Sequence, residues 1–340
     1  MTLIGAVAAL AGCAADPPRG GQSTGEARSS SEKAAWQSKT LPWGRGSGEV
    51  ALRKGATDFP AEGPSSVAVA SDGEVLILDR WNERVIGVSL DGAAVTRGAV
   101  PSDAEHLAAS PKAAPGFVMA AWSPLHGKVT LLDRGGSLGE VAIPRELTDT
   151  MRIEVGLSHR VAAVSAYQET VQLGSPRAPL DLAAASRTRR EGAAFLEDGR
   201  GVAARVTEAN GEIFVYAKDK LGDDEKPKVD WTYSVPGPVS AVRVVGAVGK
   251  AICARVERVT QPELTGPLSV DREVLCVEAQ SGRTLLRRSL GRPGIAAVHE
   301  DLAVGGEPPA VAFIRPDEAG LFVERLPLTD GASDAKEVGR

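Results

Sequence analysis

The chain is poor in several residue types. Among 340 residues, aromatics make up 4%, histidine occurs four times and cysteine three times. The four histidines, His106, His126, His159 and His299, stand far apart, and none belongs to an H-x-x-x-H or C-x-x-C arrangement. That excludes a zinc site built from one local motif, although distant residues can still converge in a fold. Neither sign of charge dominates: 39 Lys and Arg face 44 Asp and Glu, a net charge of -5. The balance gives no electrostatic case for a nucleic-acid partner or a basic membrane-binding face. Long hydrophobic runs are missing too. The one apolar stretch, MTLIGAVAALAGC at the N-terminus, is about a dozen residues, too short to span a bilayer as a mature helix.

What the chain has is apolar content and punctuation. Hydrophobic residues reach 43%, and 38 Gly and 22 Pro are scattered throughout. From Leu41 onward no stretch has helical periodicity. Apolar and β-branched runs of roughly four to eight residues alternate with turn signals instead. Val67–Ala70, Glu74–Leu78, Val85–Leu90, Phe117–Trp122 and Val129–Leu132 are such runs, as are Gly201–Val206, Glu212–Ala217, Ala251–Val256, Glu273–Val277, Ala310–Ile314 and Gly320–Leu326.

Two stretches can be superposed: GEVLILDRWNERVIGVSLDG from Gly73 and GFVMAAWSPLHGKVTLLDRGG from Gly116. Their offset of about 43 residues matches one four-stranded propeller blade. The body from about residue 48 to 328 holds about six such units. The sequence therefore predicts an all-β fold, a β-propeller of six blades with about four antiparallel strands each. A pair of β-sandwich domains is the alternative for about 280 residues. Ring closure is expected to pair Glu49–Leu52 with Leu321–Leu326, because an open edge invites aggregation. The expected organisation is a signal peptide at 1–12, a tether at 13–40, the propeller at 41–330 and a tail at 331–340.

The segment Gly63–Gly92 resembles the NHL repeat of six-bladed propellers. Gly63-Pro64, Asp72-Gly73, Asp79, Asn82, Arg84 and Asp91-Gly92 carry the resemblance. It implies that Asp79, Asn82 and Arg84 shape the turn between two strands. Physical chemistry agrees: a turn leaves backbone groups without ladder partners, and Asp and Asn can serve them. Arg84 can reach back to Asp79 as a charge-assisted pair.

Leu10-Ala11-Gly12-Cys13 resembles the bacterial lipobox. The resemblance implies cleavage before Cys13, a diacylglyceryl group on its thiol and, with Ala14 following, sorting to the outer membrane. The next residues, Asp16–Thr40, are rich in Pro, Gly, Ser and charge, and bury too little apolar surface to offset their ordering entropy. A lipid followed by a tether fits a body that stands off a membrane.

The remaining cysteines lie in KAICARV and REVLCVEA, joined by a loop containing Pro262, Gly266 and Pro267. If the two runs form a hairpin with Arg258 opposite Asp271, Cys253 faces Cys276. Facing residues sit roughly 4.5–5.5 Å apart, within disulfide range. An exported protein meets an oxidising compartment, and lipid on Cys13 leaves an even pair. Two buried thiols on facing strands are the other reading.

No residue is assigned to catalysis, cofactor binding or metal binding. Of two G-x-S-x-G matches, Ser23 lies in the tether and Ser137 lies between strands, whereas a nucleophile elbow needs a strand turning into a helix. Lys218–Lys228 lacks calcium-loop spacing and reads as a solvated loop. Arg187–Arg190 is a short basic loop. Related six-bladed propellers include lactonases and lyases with carboxylates, Asn or His around a central metal, but no such pattern maps here. The expectation is a monomeric, lipid-anchored envelope protein acting as a non-enzymatic binding or scaffold module for a protein, peptide or glycan. A metal-dependent hydrolase or lyase with its site at the axis is the alternative.

Overall fold

A computed structural model describes residues 37–110, 118–134, 136–156, 159–208, 210–217, 228–261 and 268–328. Cys13, Ser23, residues 218–227 of the solvated loop and the 331–340 tail lie outside these residues.

The body is a six-bladed β-propeller. Blade 1 comprises Ser66–Val69, Val75–Asp79, Arg84–Val88 and Ala94–Ala99, and blade 2 His106–Ala109, Met119–Ser123, Lys128–Asp133 and Gly136–Ala142. Blade 3 comprises Thr150–Val155, Val161–Ser165, Glu169–Ser175 and Ala178–Pro179, with Arg190–Glu191 added to its third strand. Blade 4 comprises Ala194–Phe195, Gly201–Thr207, Asn210–Tyr216 and Val229–Pro238, and blade 5 Ala241–Val248, Ala251–Thr260, Ser269–Glu278 and Thr284–Ser289. Blade 6 takes Leu302–Gly305, Ala310–Asp317 and Gly320–Pro327 from the end of the chain and Ser38–Leu41 from the start.

Alternation within one strand shows why these strands are apolar on both faces. In blade 1, Val75 and Ile77 join a buried cluster with blade 6 residues Ala312, Ile314 and Val323. Leu76 and Leu78, pointing the other way, join a second cluster with Leu107, Met119 and Ala121 of blade 2. Each blade is thus a slice pressed between two neighbours, and a strand with polar residues on one side would bury them against the next blade. The outermost strands escape this rule. Thr284–Ser289 and Gly136–Ala142 are mostly exposed or half-exposed, and they admit glycine and polar residues among the apolar ones.

Closure differs from the sequence expectation. Ser38–Leu41, not Glu49–Leu52, pairs antiparallel with the last strand, Ser38 opposite Glu324 and Leu41 opposite Leu321. The strand starts inside the stretch read as tether. As an outermost strand it buries only Leu41, so SKTL offers no apolar run to find. Glu49–Leu52 instead lies against blade 1, where the Ala51 N–H donates to Asp79 Oδ1 at 3.0 Å.

Cys253 and Cys276 are bonded on facing strands of blade 5, with Arg258 opposite Asp271. The one α-helix among the described residues, Leu182–Ser186, is five residues long and capped by Asp181, whose Oδ1 accepts from the Ala184 N–H at 2.7 Å. No described helix is long and apolar enough to cross a membrane.

Strand direction defines two faces. Within each blade the first and third strands run from one face, here called upper, to the other, and the second and fourth return. Turns between second and third strands, and the connections between blades, therefore lie on the upper face. The strand Ser38–Leu41 begins at the lower face, and Gly320–Pro327 ends there. The body is entered and left on one side.

Candidate functional site

Asp79, Asn82 and Arg84 meet in the upper turn of blade 1, around the short 3-10 turn Arg80–Asn82. Asp79 is fully buried. Its Oδ2 accepts from Asn82 Nδ2 at 2.8 Å and from Arg84 Nε at 3.0 Å. The partners reach further than a turn. Asn82 Nδ2 also donates to the Gly44 carbonyl, and Arg84 Nη2 donates to the carbonyls of Gly46 and Glu49, at 3.0 and 2.8 Å. The trio thus clasps the 44–51 segment, which follows the closing strand, onto blade 1. Beside it, Trp81 lies between the guanidiniums of Arg53 and Arg80, at 4.8 and 4.6 Å from its ring centre.

A second polar cluster stands at the propeller axis. The innermost strands enclose a cavity of roughly 430 Å³ whose walls are mainly Val, Ala, Leu and Gly backbone and side chains. His106, Arg152, Glu154 and Glu300 line it as well. Blade 4 supplies an innermost strand of only two residues. Arg152 compensates: its Nη1 donates to the carbonyls of Val244 and Val245 in blade 5, at 2.8 and 3.0 Å, and Nη2 to the Ala193 carbonyl. Nη2 also lies 3.4 Å from Glu154 Oε1.

His106 opens the innermost strand of blade 2 and is buried. Its Nε2 is 3.8 Å from Glu300 Oε2, and its ring meets the exposed His299 edge-on, 6.4 Å between centres. Glu300 in turn accepts from Arg243 Nη2 at 3.2 Å. Burial first, then His299, Arg152 and Arg243, holds the His106 imidazole well below its ordinary pKa. The ring is therefore neutral near pH 7. Burial pushes the Glu154 carboxyl up, with Arg152 opposing.

Nothing in the local sequence around His106 or His299, nearly two hundred residues apart, assigns either a role. The position of each at the upper end of an innermost strand becomes visible only once the blades are counted. His126 is exposed and pairs with Asp103 at 2.8 Å, and His159 sits in a turn with φ of 60°. Among the described residues, no group of three or more His, Cys, Asp or Glu side chains is placed to hold a metal ion.

Ser137 lies on the exposed outermost strand of blade 2, and its Oγ accepts from the Gly139 N–H at 3.3 Å. In the basic loop, Arg189 pairs with Glu169 at 2.5 Å. Arg190 donates to the Gly199 carbonyl and covers the Phe195 ring.

Exposed apolar side chains are distributed unevenly. Phe59, Leu125, Met151, Tyr167, Val206, Val259, Leu268, Val270 and Ile295 all belong to upper turns, upper connections or upper strand ends. Of the large exposed hydrophobics among the described residues, only Leu90 and Val229 lie toward the lower face.

No protein-family model matches the chain, and no curated protein matches it. Solved propellers do. Virginiamycin B lyase from Staphylococcus aureus is 10% identical with a TM-score of 0.43, covering 77% of this chain and 94% of its own. A streptogramin B lyase is 12% identical with a TM-score of 0.40, covering 85% and 97%. A putative gluconolactonase is 15% identical with a TM-score of 0.41, covering 74% and 84%. At these identities and scores the likenesses carry no argument about activity.

Proposed function

We propose that the protein is an extracytoplasmic binding module, held to the outer membrane by lipid on Cys13, that docks a protein partner on the upper face of its propeller. The observation that carries this reading is the one-sided apolar display. Leu125 is 83% exposed, Tyr167 78%, Phe59 69% and Leu268 63%, all on the upper face. Large exposed apolar groups gathered on one face are a mark of association surfaces. The direction of the chain supports it, since the described body begins with Ser38 at the lower face, opposite the apolar display.

Photo-crosslinking side chains placed singly at Leu125, Tyr167 and Leu90 in exporting cells test the proposal. Discrete heavier adducts from positions 125 and 167, and none from 90, are expected. Equal yields from all three positions, or none from the upper pair, would overturn it.

A second reading, a metal-dependent hydrolase or lyase, draws on the approach of His106 to Glu300 at the axis, although among the described residues no three such side chains are placed to hold an ion. Metal analysis of the purified chain separates the two: a stoichiometric, tightly held divalent ion favours the enzyme.

A further inference from the structure

We propose that the axial cavity binds an uncharged small molecule with an apolar body and an amide-type head, that is, an N–H or O–H donor beside a carbonyl. This site is separate from the upper rim and stands or falls independently of the docking surface.

Roughly 430 Å³ lies within the span of about 300–1,000 Å³ typical of preformed ligand sites, which are mostly apolar with a few converging polar groups. Val67, Val69, Leu302 and Val304 are among the apolar lining. Arg160 and Glu197, which line the lower end, are exposed, while His106 and Arg152 at the upper end are buried. A ligand entering from below would seat its head against those two.

Their hydrogen bonding is incomplete. His106 is 4% exposed and Arg152 5%, yet His106 Nδ1 and Arg152 Nε have no partner. Buried polar atoms are nearly always paired, and an unpaired one in a cavity wall points to what the cavity receives. The Glu300 carboxylate, 3.8 Å from His106 Nε2, favours the tautomer with its proton on that nitrogen. Nδ1 is then an acceptor, and Arg152 Nε–H is a donor. The complementary head carries one donor and one acceptor.

Charge selects against ions. Each cation at this end already faces a carboxylate: Arg243 pairs with Glu300, and Arg152 lies beside Glu154. A carboxylate head would meet Glu300 and Glu154 with no cation left over. An ammonium head would meet Arg152 and Arg243 in the same way. In a low-dielectric site an unmatched charge of either sign is costly, and a neutral head is not.

The test uses the full chain and the fluorescent probe N-phenyl-1-naphthylamine, displaced in parallel by octanamide, octanoate and octylammonium. Probe fluorescence should rise with protein, and octanamide should half-displace it at a concentration at least tenfold below either ion. His106→Leu, which keeps volume but removes the acceptor, should abolish the preference for octanamide while the probe still binds. If H106L does not fold, Ala247→Trp, which narrows the half-exposed lower wall, should remove probe binding with the sheet intact by circular dichroism. No probe binding, displacement by octanoate or octylammonium as good as by octanamide, an unchanged preference in H106L, or full binding in A247W would each overturn the proposal.

Discussion

The trio of Asp79, Asn82 and Arg84 in blade 1 and the head of the axial cavity are both polar clusters beside apolar strands, yet they are finished to different degrees; the trio's neighbours Arg80 and Trp81, with Nε and Nε1 buried and unpartnered, stand outside it. Around Asp79 both carboxylate oxygens have partners, and Asn82 and Arg84 spend their remaining donors on carbonyls of the 44–49 stretch. Around His106 two buried nitrogens are left over. A cluster that satisfies itself has nothing to offer a ligand and works as part of the frame. One that stops short retains specific bonding capacity. The contrast separates scaffold from site where residue types alone, an arginine beside a carboxylate in both cases, do not.

Breaking the finished cluster should cost most. Asp79→Ala strands Arg84 and Asn82 around a buried hole, and loss of one partner from a buried ion pair costs about 3–5 kcal/mol. Urea unfolding of D79A should show that loss in the midpoint. A value near zero would mean that the clasp adds nothing to the fold.

The unfinished cluster should reveal itself through pH. The folded state holds His106 below its ordinary value near 6.5, so it binds fewer protons there than the unfolded chain. Stability from this group is complete above about pH 6.5 and falls as pH drops below it toward the folded pKa, with a slope approaching about 1.4 kcal/mol per pH unit. Glu154, raised by burial, acts in the opposite sense. The readout is therefore the difference between wild type and His106→Gln across that window, and parallel curves would refute it.

Removal of Arg243 should matter least to stability. Its side chain is 41% exposed, and exposed pairs contribute up to about 1 kcal/mol. Arg243→Ala should nevertheless leave Glu300 unbalanced. Octylammonium should then displace the axial probe better than from wild type, with the unfolding midpoint nearly unchanged.

How much of this was legible in the sequence follows from which groups face inward. The runs identified there are mainly the second and third strands of the blades, where Leu76 and Ile77 show the two-sided burial that keeps a strand apolar. Outermost strands such as Ser38–Leu41 lack that constraint and look like linker. Cys253 and Cys276 could be paired by counting because they share one hairpin. His106 and Glu300 could not, because they come from different blades and no local spacing records the approach. Asp79, Asn82 and Arg84 were visible through their pattern, but the 44–51 segment they hold was not.

Closure of the ring by Ser38–Leu41 also bears on the order of assembly. Each of the other five blades can form from one continuous stretch of chain, as soon as that stretch is available. Blade 6 cannot, because the pairing of Ser38 with Glu324 spans nearly the whole body and carries the largest loop-closure entropy in the molecule. In vectorial synthesis, the strand made first waits, unpaired, until the strand made last arrives.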